Sequence, residues 1–375
     1  MINGKKILII SPEAWGNNHV SKHHYAKYLS KENEVYFLNP PTGFKRFSFK
    51  NLDVQLSIVE ENIKTISYKN LIPKLNNSPK YIQEKIYKKM AETIQDEIRV
   101  DHFDIVWSFD PYRYFNQRVW KAKKYIYHTV DVHFRKCFEA DIAYTSDLVL
   151  LSSELLRENL RPFNSNIIYS GHGADIDAFE KSEMINDLPG SNGIKAGLVG
   201  NFNNNVDYDL IEKIALHNKG IDFIFIGPYK DNNLGNDTKS VAEKVDHLKM
   251  LKNVYFIGSV PSSKIINYLQ SLDINMVLYR EDKRHIIINP HKMMGYFYSG
   301  KITVSTWFNE YSNSSPELML MAENNNQLPQ LIEEIAQNIS VHNSSENIEF
   351  RREFALRNSY DNKLESIAEF LYNKA

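Results

Sequence analysis

The sequence predicts an α/β protein of two doubly wound domains, and three observations support that prediction. Short apolar runs, such as KILII at residues 6–10, alternate with amphipathic helical stretches along most of the chain, as in parallel sheets that carry helices on both faces. The alternation is interrupted once, at residues 179–195, by a charged stretch containing glycine, proline and serine, which is typical of a linker. At 375 residues the chain is also longer than one ordinary domain.

Composition excludes several classes of function. With 42% hydrophobic and 24% charged residues, the chain has the composition of a soluble globular protein. A net charge of -1 argues against general nucleic-acid binding, which depends on neutralising phosphates. The single cysteine, Cys137, allows no internal disulfide and no cysteine-based zinc site. The first apolar run is too short for a signal peptide, and no run approaches the roughly 18 residues that span a bilayer. We therefore expect a cytoplasmic protein.

The N-terminal domain is predicted at residues 1–178. A strand at 5–10, a helix at 20–30 and a strand at 35–38 form a β-α-β unit, in which the loop after the first strand is a ligand-binding position. A long amphipathic helix is predicted at 80–99, and shorter helices are predicted after Asp110-Pro111 and at 152–160. Four further strands are predicted at 105–109, 125–128, 148–151 and 167–169.

A second α/β domain is predicted at residues 196–352, after the linker at 179–195. A last helix, within residues 353–375, is expected to pack back toward the N-terminal domain. Between them the alternation of strands and helices resumes, with strands at 196–199, 223–226, 254–257, 274–278 and 302–306 and helices at 208–217, at 262–271 and after Pro290.

The stretch RHIIINPHKMMGYFYSGKITVST, residues 284–306, predicts a helix that begins at Pro290 and stops at Gly300. Proline suits the first helical turn because its missing N–H would have no partner there. The free N–H groups of that turn, the helix dipole and Lys292 would together bind an anion. The alternative for Lys292 is an ordinary solvated helix lysine.

Several motifs resemble those of GT-B glycosyltransferases of family 4, also called group 1 glycosyltransferases. They are GLVGNF followed by Asp207, FIGP, NVYFIGSVP and the stretch from Asn289 to Thr306 in the C-terminal half, and HTVD and SGHGAD in the N-terminal half. The likeness covers most of the chain and is least at residues 42–89. It implies the GT-B fold, two Rossmann-like domains that face each other across a cleft, with the donor on the C-terminal domain.

The resemblance also implies an activity. It predicts a hexosyl- or glycosyltransferase that moves a sugar from a UDP- or GDP-sugar to a glycan or lipid-linked acceptor in surface polysaccharide biosynthesis, with no metal and no other cofactor. Retention of configuration is favoured over inversion. The donor-binding residues so implied are Gly200, Asn201, Gly227, Val260, Arg280, His285, Asn289, Pro290, His291 and Lys292.

Catalytic residues are predicted at the end of the strand at 125–128. The carboxylate of Asp131 could accept the proton of the acceptor hydroxyl or orient the sugar. His128 is the alternative base or a hydrogen-bond donor to the sugar. The competing interpretation of Asp131 is a helix N-cap.

Acceptor-binding residues are predicted at two places in the N-terminal half. Trp15 could stack on a sugar ring, with Gly16 and His19 beside it. His172, in a Gly-His-Gly turn, is equally compatible with a structural role. The alternative for the first group is a surface turn in which Asn17 or Asn18 caps the following helix.

Two features depart from the family pattern. Gly295 stands where family members usually carry the glutamate that holds the donor ribose, and residues 201–206, NFNNNV, lack the usual Arg/Lys pair. The donor phosphates would then be met by Arg280, Arg284, His285 and Lys292. Two alternatives therefore stay open: a sugar-nucleotide epimerase of GT-B fold, and a non-catalytic protein that binds a nucleotide or a partner.

Positive charge is concentrated in residues 44–89, which contain ten lysines or arginines and four acids. The segment FKRFSFK at 44–50 interleaves bases with aromatic residues, a pattern typical of peripheral contact with an anionic membrane. We therefore expect possible association with the inner face of the cell membrane. The alternative is a solvated loop and helix whose aromatic side chains face the core.

Overall fold

The computed structural model describes residues 2–16, 19–44, 52–133, 137–229 and 238–372. The chain forms two compact units. Unit 1 comprises Met1–His172 and Tyr360–Ala375, and unit 2 comprises Gly173–Ser359. The sequence placed the corresponding boundaries at residues 178 and 353, which lie inside two helices, because helical periodicity does not show where a chain passes from one unit to the next.

Unit 1 is built on one sheet with helices on its faces. Its elements are β1 (Lys6–Ile10), α1 (Ser21–Ser30), β2 (Glu34–Leu38), β3 (Gln55–Glu60), β4 (Ile63–Ser67), α2 (Lys80–Glu97), β5 (Phe103–Ser108), β6 (Ala122–Thr129), α3 (Glu139–Thr145), β7 (Leu148–Leu151), α4 (Arg157–Leu160) and β8 (Ile167–Tyr169). The strand order is β3-β4-β2-β1-β5-β6-β7-β8. All neighbours are parallel except β3 and β4. The strand β1 is buried on both faces, which explains its unbroken apolar sequence.

Two features of unit 1 differ from the sequence prediction. The strands β3 (QLSIVE) and β4 (IKTIS) were not predicted, because neither has the continuous apolar run that marks β1: β3 is an exposed edge strand, and polar residues interrupt the apolar ones in β4. The helix expected after Asp110-Pro111 is absent, and residues 110–116 form turns that lead into a short 3-10 helix at Gln117–Val119. There the side chain of Asp110 accepts hydrogen bonds from the N–H groups of Tyr112 (2.8 Å) and Arg113 (3.2 Å), which closes a turn.

Unit 2 contains a six-stranded, wholly parallel sheet in the order β11-β10-β9-β12-β13-β14. Apolar clusters cover both of its faces. Its elements are α5 (Ile176–Glu180), β9 (Ile194–Val199), α6 (Tyr208–His217), β10 (Ile221–Ile226), α7 (Thr238–Leu248), β11 (Val254–Gly258), α8 (Ile265–Ser271), β12 (Ile274–Val277), α9 (Met293–Ser299), β13 (Ile302–Thr306), β14 (Leu320–Ala322), α10 (Leu328–Gln337), α11 (Ile339–His342) and α12 (Ser345–Arg357).

The last helix, α13 (Tyr360–Tyr372), belongs to unit 1. Its Tyr360 is fully buried and its ring lies 5.3 Å from His24 and 5.0 Å from Tyr25, both on α1. The single helix predicted within 353–375 is therefore two helices, because the chain is interrupted at Asn358 and Ser359. Among the described helices, none combines the length and the apolar composition that crossing a bilayer requires.

Candidate active site

The strand order of unit 2 identifies where a ligand would bind. From β9 the chain proceeds to β10 and β11 on one side, and β12, β13 and β14 lie on the other. In open parallel sheets, ligands bind at the carboxyl ends of the strands where the order reverses, here β9 and β12. The loops after these strands touch, because the N–H of Arg280 donates to the carbonyl of Asn205 (3.0 Å) and the N–H of Asp207 to that of Leu278 (3.1 Å).

Glycines end the three neighbouring strands β9, β10 and β11, and each has a positive φ: Gly200 (155°), Gly227 (142°) and Gly258 (86°). The N–H of Gly200 donates to the carbonyl of Ile226 (2.9 Å), and the N–H of Gly227 to that of Gly258 (2.8 Å). A Cβ atom on Gly227 would lie 1.8 Å from the carbonyl oxygen of Gly200. The backbones at this edge are therefore closer than any side chain permits.

Lys292 is the cation of this site. Its ammonium lies 3.0 Å from the position of a Cβ on Gly200 and 5.1 Å from the ring centre of Tyr279. In the part of the chain that the structure describes, no carboxylate lies within ion-pair distance of it. Burial alone would lower the pKa of Lys292, but the phenol groups of Tyr279 and Tyr296 outweigh that effect and raise the pKa above its usual value. Among the described residues, Lys292 thus contributes a positive charge that no carboxylate neutralises.

The helix that follows Lys292, α9, differs from the expected one. It begins at Met293 rather than at Pro290, and Pro290 to Lys292 form a turn closed by the Met293 N–H and the Pro290 carbonyl (3.1 Å). Since α9 has only seven residues, its dipole would contribute less to anion binding than expected. The prediction of an anion site therefore depends mainly on Lys292. The hydroxyl of Tyr296 accepts from the Val199 N–H (2.9 Å) and lies 3.2 Å from the Met276 carbonyl, which fixes α9 against β9 and β12. Gly300 ends the helix with a φ of 78°, as predicted.

The other predicted donor residues are placed unevenly around this edge. Arg280 is exposed and its guanidinium contacts Asp282 twice, at 2.9 and 3.1 Å, so its charge is already paired. Gly295 is half-buried, and a Cβ there would lie 3.4 Å from Leu269 and 3.8 Å from Phe179. A longer side chain would therefore leave α9 toward α8 and α5. Among the remaining predicted residues, Asn289 is buried and Val260 and His291 are half-buried. Asn201 and His285 are exposed.

In unit 1 the strand order reverses between β1 and β5, and a buried ion pair occupies that position. Arg113 contacts Asp110 at 2.5 Å and donates to the carbonyls of Ser11 (2.5 Å) and Asn39 (3.2 Å) and to the hydroxyl of Tyr68 (2.6 Å). These partners follow or end β1, β2, β4 and β5. One guanidinium therefore joins four loops at the carboxyl edge of the sheet. Burial tends to lower the pKa of Arg113, but the charge of Asp110 more than offsets it, so the pKa is raised.

The two predicted catalytic residues lie in different environments. Asp131 is exposed, two residues beyond β6. His128 is fully buried among the rings of Tyr25, Trp107 and Phe109, and its Nε2 lies 3.1 Å from Ser170 Oγ. Burial holds the pKa of His128 well below its ordinary value. In this conformation the ring cannot reach an acceptor hydroxyl, because it has no exposed surface.

The predicted acceptor residues form an aromatic group and a separate histidine. Trp15 lies 5.2 Å from His19 and 5.0 Å from Phe37 between ring centres, so one side of its ring is already covered. Gly16 is exposed, and a Cβ there would meet nothing within 4 Å, so no close approach requires glycine. His172 is buried, with Nδ1 3.0 Å from Ser21 Oγ. Asn17 and Asn18 lie outside the described residues.

The sequence did not indicate several residues that hold the candidate site residues and their loops in place. Tyr279 and Tyr296 surround Lys292, Arg113 joins the loops of unit 1, and Glu139 accepts hydrogen bonds from the end of β6. Such roles depend on long-range contacts, so spacing along the chain does not reveal them. Among the described residues, no group of three or more histidine, cysteine, aspartate or glutamate side chains is placed to hold a metal ion.

Sequence comparisons give one distant relative. No model of a known protein family matches the chain. TuaH of Bacillus subtilis strain 168, provisionally described as a glycosyltransferase of teichuronic acid biosynthesis, is 22% identical over 178 residues. The match spans 46% of this chain and 43% of TuaH, so less than half of either protein is aligned.

Solved structures match over almost the whole chain. Sucrose-phosphate synthase from Thermosynechococcus elongatus has a TM-score of 0.71 at 13% identity, over 99% of this chain and 98% of that one. A glycosyltransferase from Rickettsia africae ESF-5 has a TM-score of 0.68 at 16% identity, over 99% of both chains. The trehalose-6-phosphate protein of E. coli bound with UDP-2-fluoro glucose has a TM-score of 0.70 at 9% identity, over 98% of this chain and 99% of that one. The chain therefore has the GT-B fold, and the fold predicted from the sequence is confirmed.

Proposed function

We propose that the protein is a glycosyltransferase that takes a sugar from a UDP- or GDP-sugar bound at the β9–β12 edge of unit 2. The observation that supports this most is Lys292: it lies beside Gly200 at the end of β9 and, among the described residues, forms no ion pair with a carboxylate. A nucleoside diphosphate leaving group needs positive charge and backbone N–H groups at close range. The N–H groups of Gly200 and Gly227 already donate to backbone carbonyls. The charge is therefore supplied by Lys292, and the missing side chain of Gly200 leaves the space beside that ammonium open. The GT-B fold and the likeness to TuaH support the same activity.

The remaining parts of the reaction are assigned from unit 1. Asp131 is the exposed carboxylate at the end of β6. It would orient the sugar in a retaining reaction, and it would accept the proton of the acceptor hydroxyl in an inverting one. Trp15, Gly16, His19 and His172 stay candidates for the acceptor side. Metal independence, retention of configuration and a glycan or lipid-linked acceptor in surface polysaccharide biosynthesis are proposed with the family resemblance and the described role of TuaH as support. Release of nucleoside diphosphate from a sugar nucleotide tests the proposal.

Replacing Lys292 by methionine is expected to weaken UDP binding about 10- to 100-fold, because a charge-assisted contact to the diphosphate is lost while the side-chain volume is kept. Isothermal titration calorimetry with UDP measures the change. Lys252→Met is the matched control, since Lys252 is an exposed lysine of the same unit just before β11. Equal UDP affinity in the two variants would remove Lys292 from the phosphate site.

A peripheral contact with anionic membranes is proposed for the outer face of α2. In the described part of residues 44–89, the ammonium groups of Lys64, Lys69 and Lys80 are paired with carboxylates, and residues 45–51 lie outside the described residues. On α2, by contrast, Lys85, Lys88 and Lys89 are exposed beside Tyr81, which is 65% exposed. These three lysines are the basis of the proposal.

Changing Lys85, Lys88 and Lys89 together to glutamine is expected to lower binding to phosphatidylserine-containing vesicles about 100-fold, at about 1 kcal/mol for each lysine near an anionic surface. Cosedimentation with such vesicles, and with neutral phosphatidylcholine vesicles as a control, measures it. Binding that is equal for both vesicle types, or unchanged in the variant, would contradict the membrane contact.

A further inference from the structure

Glu139, the first residue of α3, is a carboxylate whose hydrogen bonds from the described residues come from neutral donors. Its Oε1 accepts from the hydroxyls of Tyr127 (2.7 Å) and Thr129 (2.9 Å), and the thiol of Cys137 lies 3.9 Å from its Oε2. In the described part of unit 1, no lysine, arginine or histidine forms an ion pair with it. Glu139 is half-buried, so these hydroxyl bonds decide where its side chain lies.

These bonds join the two ends of the segment that carries Asp131. Tyr127 and Thr129 lie two residues apart near the end of β6 and so point to the same face of the sheet, whereas Glu139 begins α3. The Thr129 hydroxyl is also 3.4 Å from the backbone carbonyl oxygen of Asp131. Ser152 Oγ donates to the carbonyl of Val130 at 3.0 Å. The exposed carboxylate of Asp131 therefore follows directly on a backbone that is fixed from two sides.

We propose that Glu139 is the positioning residue for Asp131: by binding Tyr127 and Thr129 it fixes the turn from which Asp131 projects. This inference rests on the proposed function, in which Asp131 meets the acceptor or the sugar. Neutral donors suit the role, because a lysine or arginine in the same place would weaken a neighbouring carboxylate as a base. An amide oxygen at residue 139 can still accept from both hydroxyls, although more weakly than the carboxylate, whereas a methyl group accepts from neither.

We call the hydrogen bonds from Tyr127 and Thr129 to Glu139 the clamp. Cys137 allows this clamp to be tested without any enzyme assay. It is the only cysteine of the chain, so a thiol reagent reports on this segment alone. Burial raises the pKa of the Cys137 thiol, and the charge of Glu139 raises it further, so removing that charge alone increases the reactive thiolate fraction. Glu139→Gln removes the charge and keeps the acceptor oxygen; Glu139→Ala removes both. The difference between these variants, measured across a pH series, isolates the loss of the clamp.

We expect Cys137 in Glu139→Ala to react with a thiol reagent about tenfold or more faster than in Glu139→Gln, because Cys137 and the start of α3 lose the hydrogen bonds that hold them to β6. Thr129→Val, which removes one donor at nearly constant volume, is expected to lie between them. Circular dichroism establishes that each variant is folded. Equal rates of Cys137 labelling at high pH in the alanine and glutamine variants would overturn the clamp. If Glu139→Ala does not fold, a labelling rate of Thr129→Val equal to that of wild type would overturn it instead.

The consequence for Asp131 is measured by nucleotide release from UDP-glucose or GDP-mannose, whichever the wild-type protein turns over, with water as acceptor. We expect Glu139→Ala to lower the rate about a hundredfold, as misplacement of a reacting group does, and Glu139→Gln to restore it to within a fewfold of wild type. UDP affinity should be equal in all variants, since Lys292 lies in the other unit. Faster labelling with unchanged release would overturn the link to Asp131. Absence of release from the wild type contradicts the proposed function instead, and the thiol test of the clamp is unaffected.

Discussion

Gly227→Ala is expected to lower the free energy of unfolding of unit 2 by about 3–5 kcal/mol. Two costs contribute. The φ of 142° at Gly227 belongs to a region that other residues rarely adopt, and the new Cβ would lie 1.8 Å from the carbonyl oxygen of Gly200. That oxygen belongs to backbone in the loop after β9, so relief of the overlap moves the edge where we place the diphosphate. Donor affinity should fall together with stability.

Gly220→Ala is the matched control, because a Cβ at Gly220 would meet nothing within 4 Å and the site is in the turn before the same strand, β10. It is expected to change stability by no more than about 0.5 kcal/mol. Thermal unfolding followed by circular dichroism, with UDP titration of each variant, measures both effects. A melting temperature for Gly227→Ala equal to that of Gly220→Ala would contradict the close approach of β9 and β10.

Arg113→Met is expected to destabilise unit 1 by about 3–5 kcal/mol, the usual cost of leaving one member of a buried ion pair without its partner. Both Arg113 and Asp110 are buried, and the substitution also leaves the carbonyls of Ser11 and Asn39 without that donor. The exposed pair Arg118–Asp147, at 3.3 Å, gives the control. Arg118→Met should cost less than about 1 kcal/mol because solvent screens that pair.

A double substitution separates the contribution of the Asp110–Arg113 ion pair from that of the other contacts of the Arg113 side chain. In Asp110→Asn with Arg113→Met no charge remains buried, so the loss of stability should be smaller than the sum of the two single losses. Urea unfolding of the four proteins of this cycle measures the coupling. Additive losses would mean that the guanidinium contributes through its contacts with the loops and not through Asp110.

The parts of the fold that the sequence predicts are those with strong local signals. Residues 7–10 of β1 and 196–199 of β9 carry no polar side chain and are buried, and Gly300 ends α9 as predicted. The edge strand β3 has no such signal, since Ile58 on it is 77% exposed. The start of α9 was placed three residues early, because proline is also favourable in the turn before a helix.

The candidate site was predictable where chemistry follows from chain position and not where it depends on distant contacts. Lys292 beside a glycine-ended strand follows from the motif and the strand order. By contrast, the burial of His128 depends on Tyr25 of α1 and Trp107 of β5, which no local pattern connects. The exposed ion pair of Arg280 with Asp282 is likewise a contact that spacing alone does not indicate, and the role of Arg280 in donor binding stays a prediction.

The proposed function requires that this protein bind a sugar nucleotide and cleave it. Incubation of the purified chain with UDP-glucose, UDP-N-acetylglucosamine, GDP-mannose and dTDP-glucose, with detection of the released nucleoside diphosphate, tests it most directly. We predict release from at least one of these donors, and its loss in Asp131→Asn. Release from none of them, together with no change in melting temperature on adding any of them, would contradict the account, whereas binding without release would favour a non-catalytic GT-B protein.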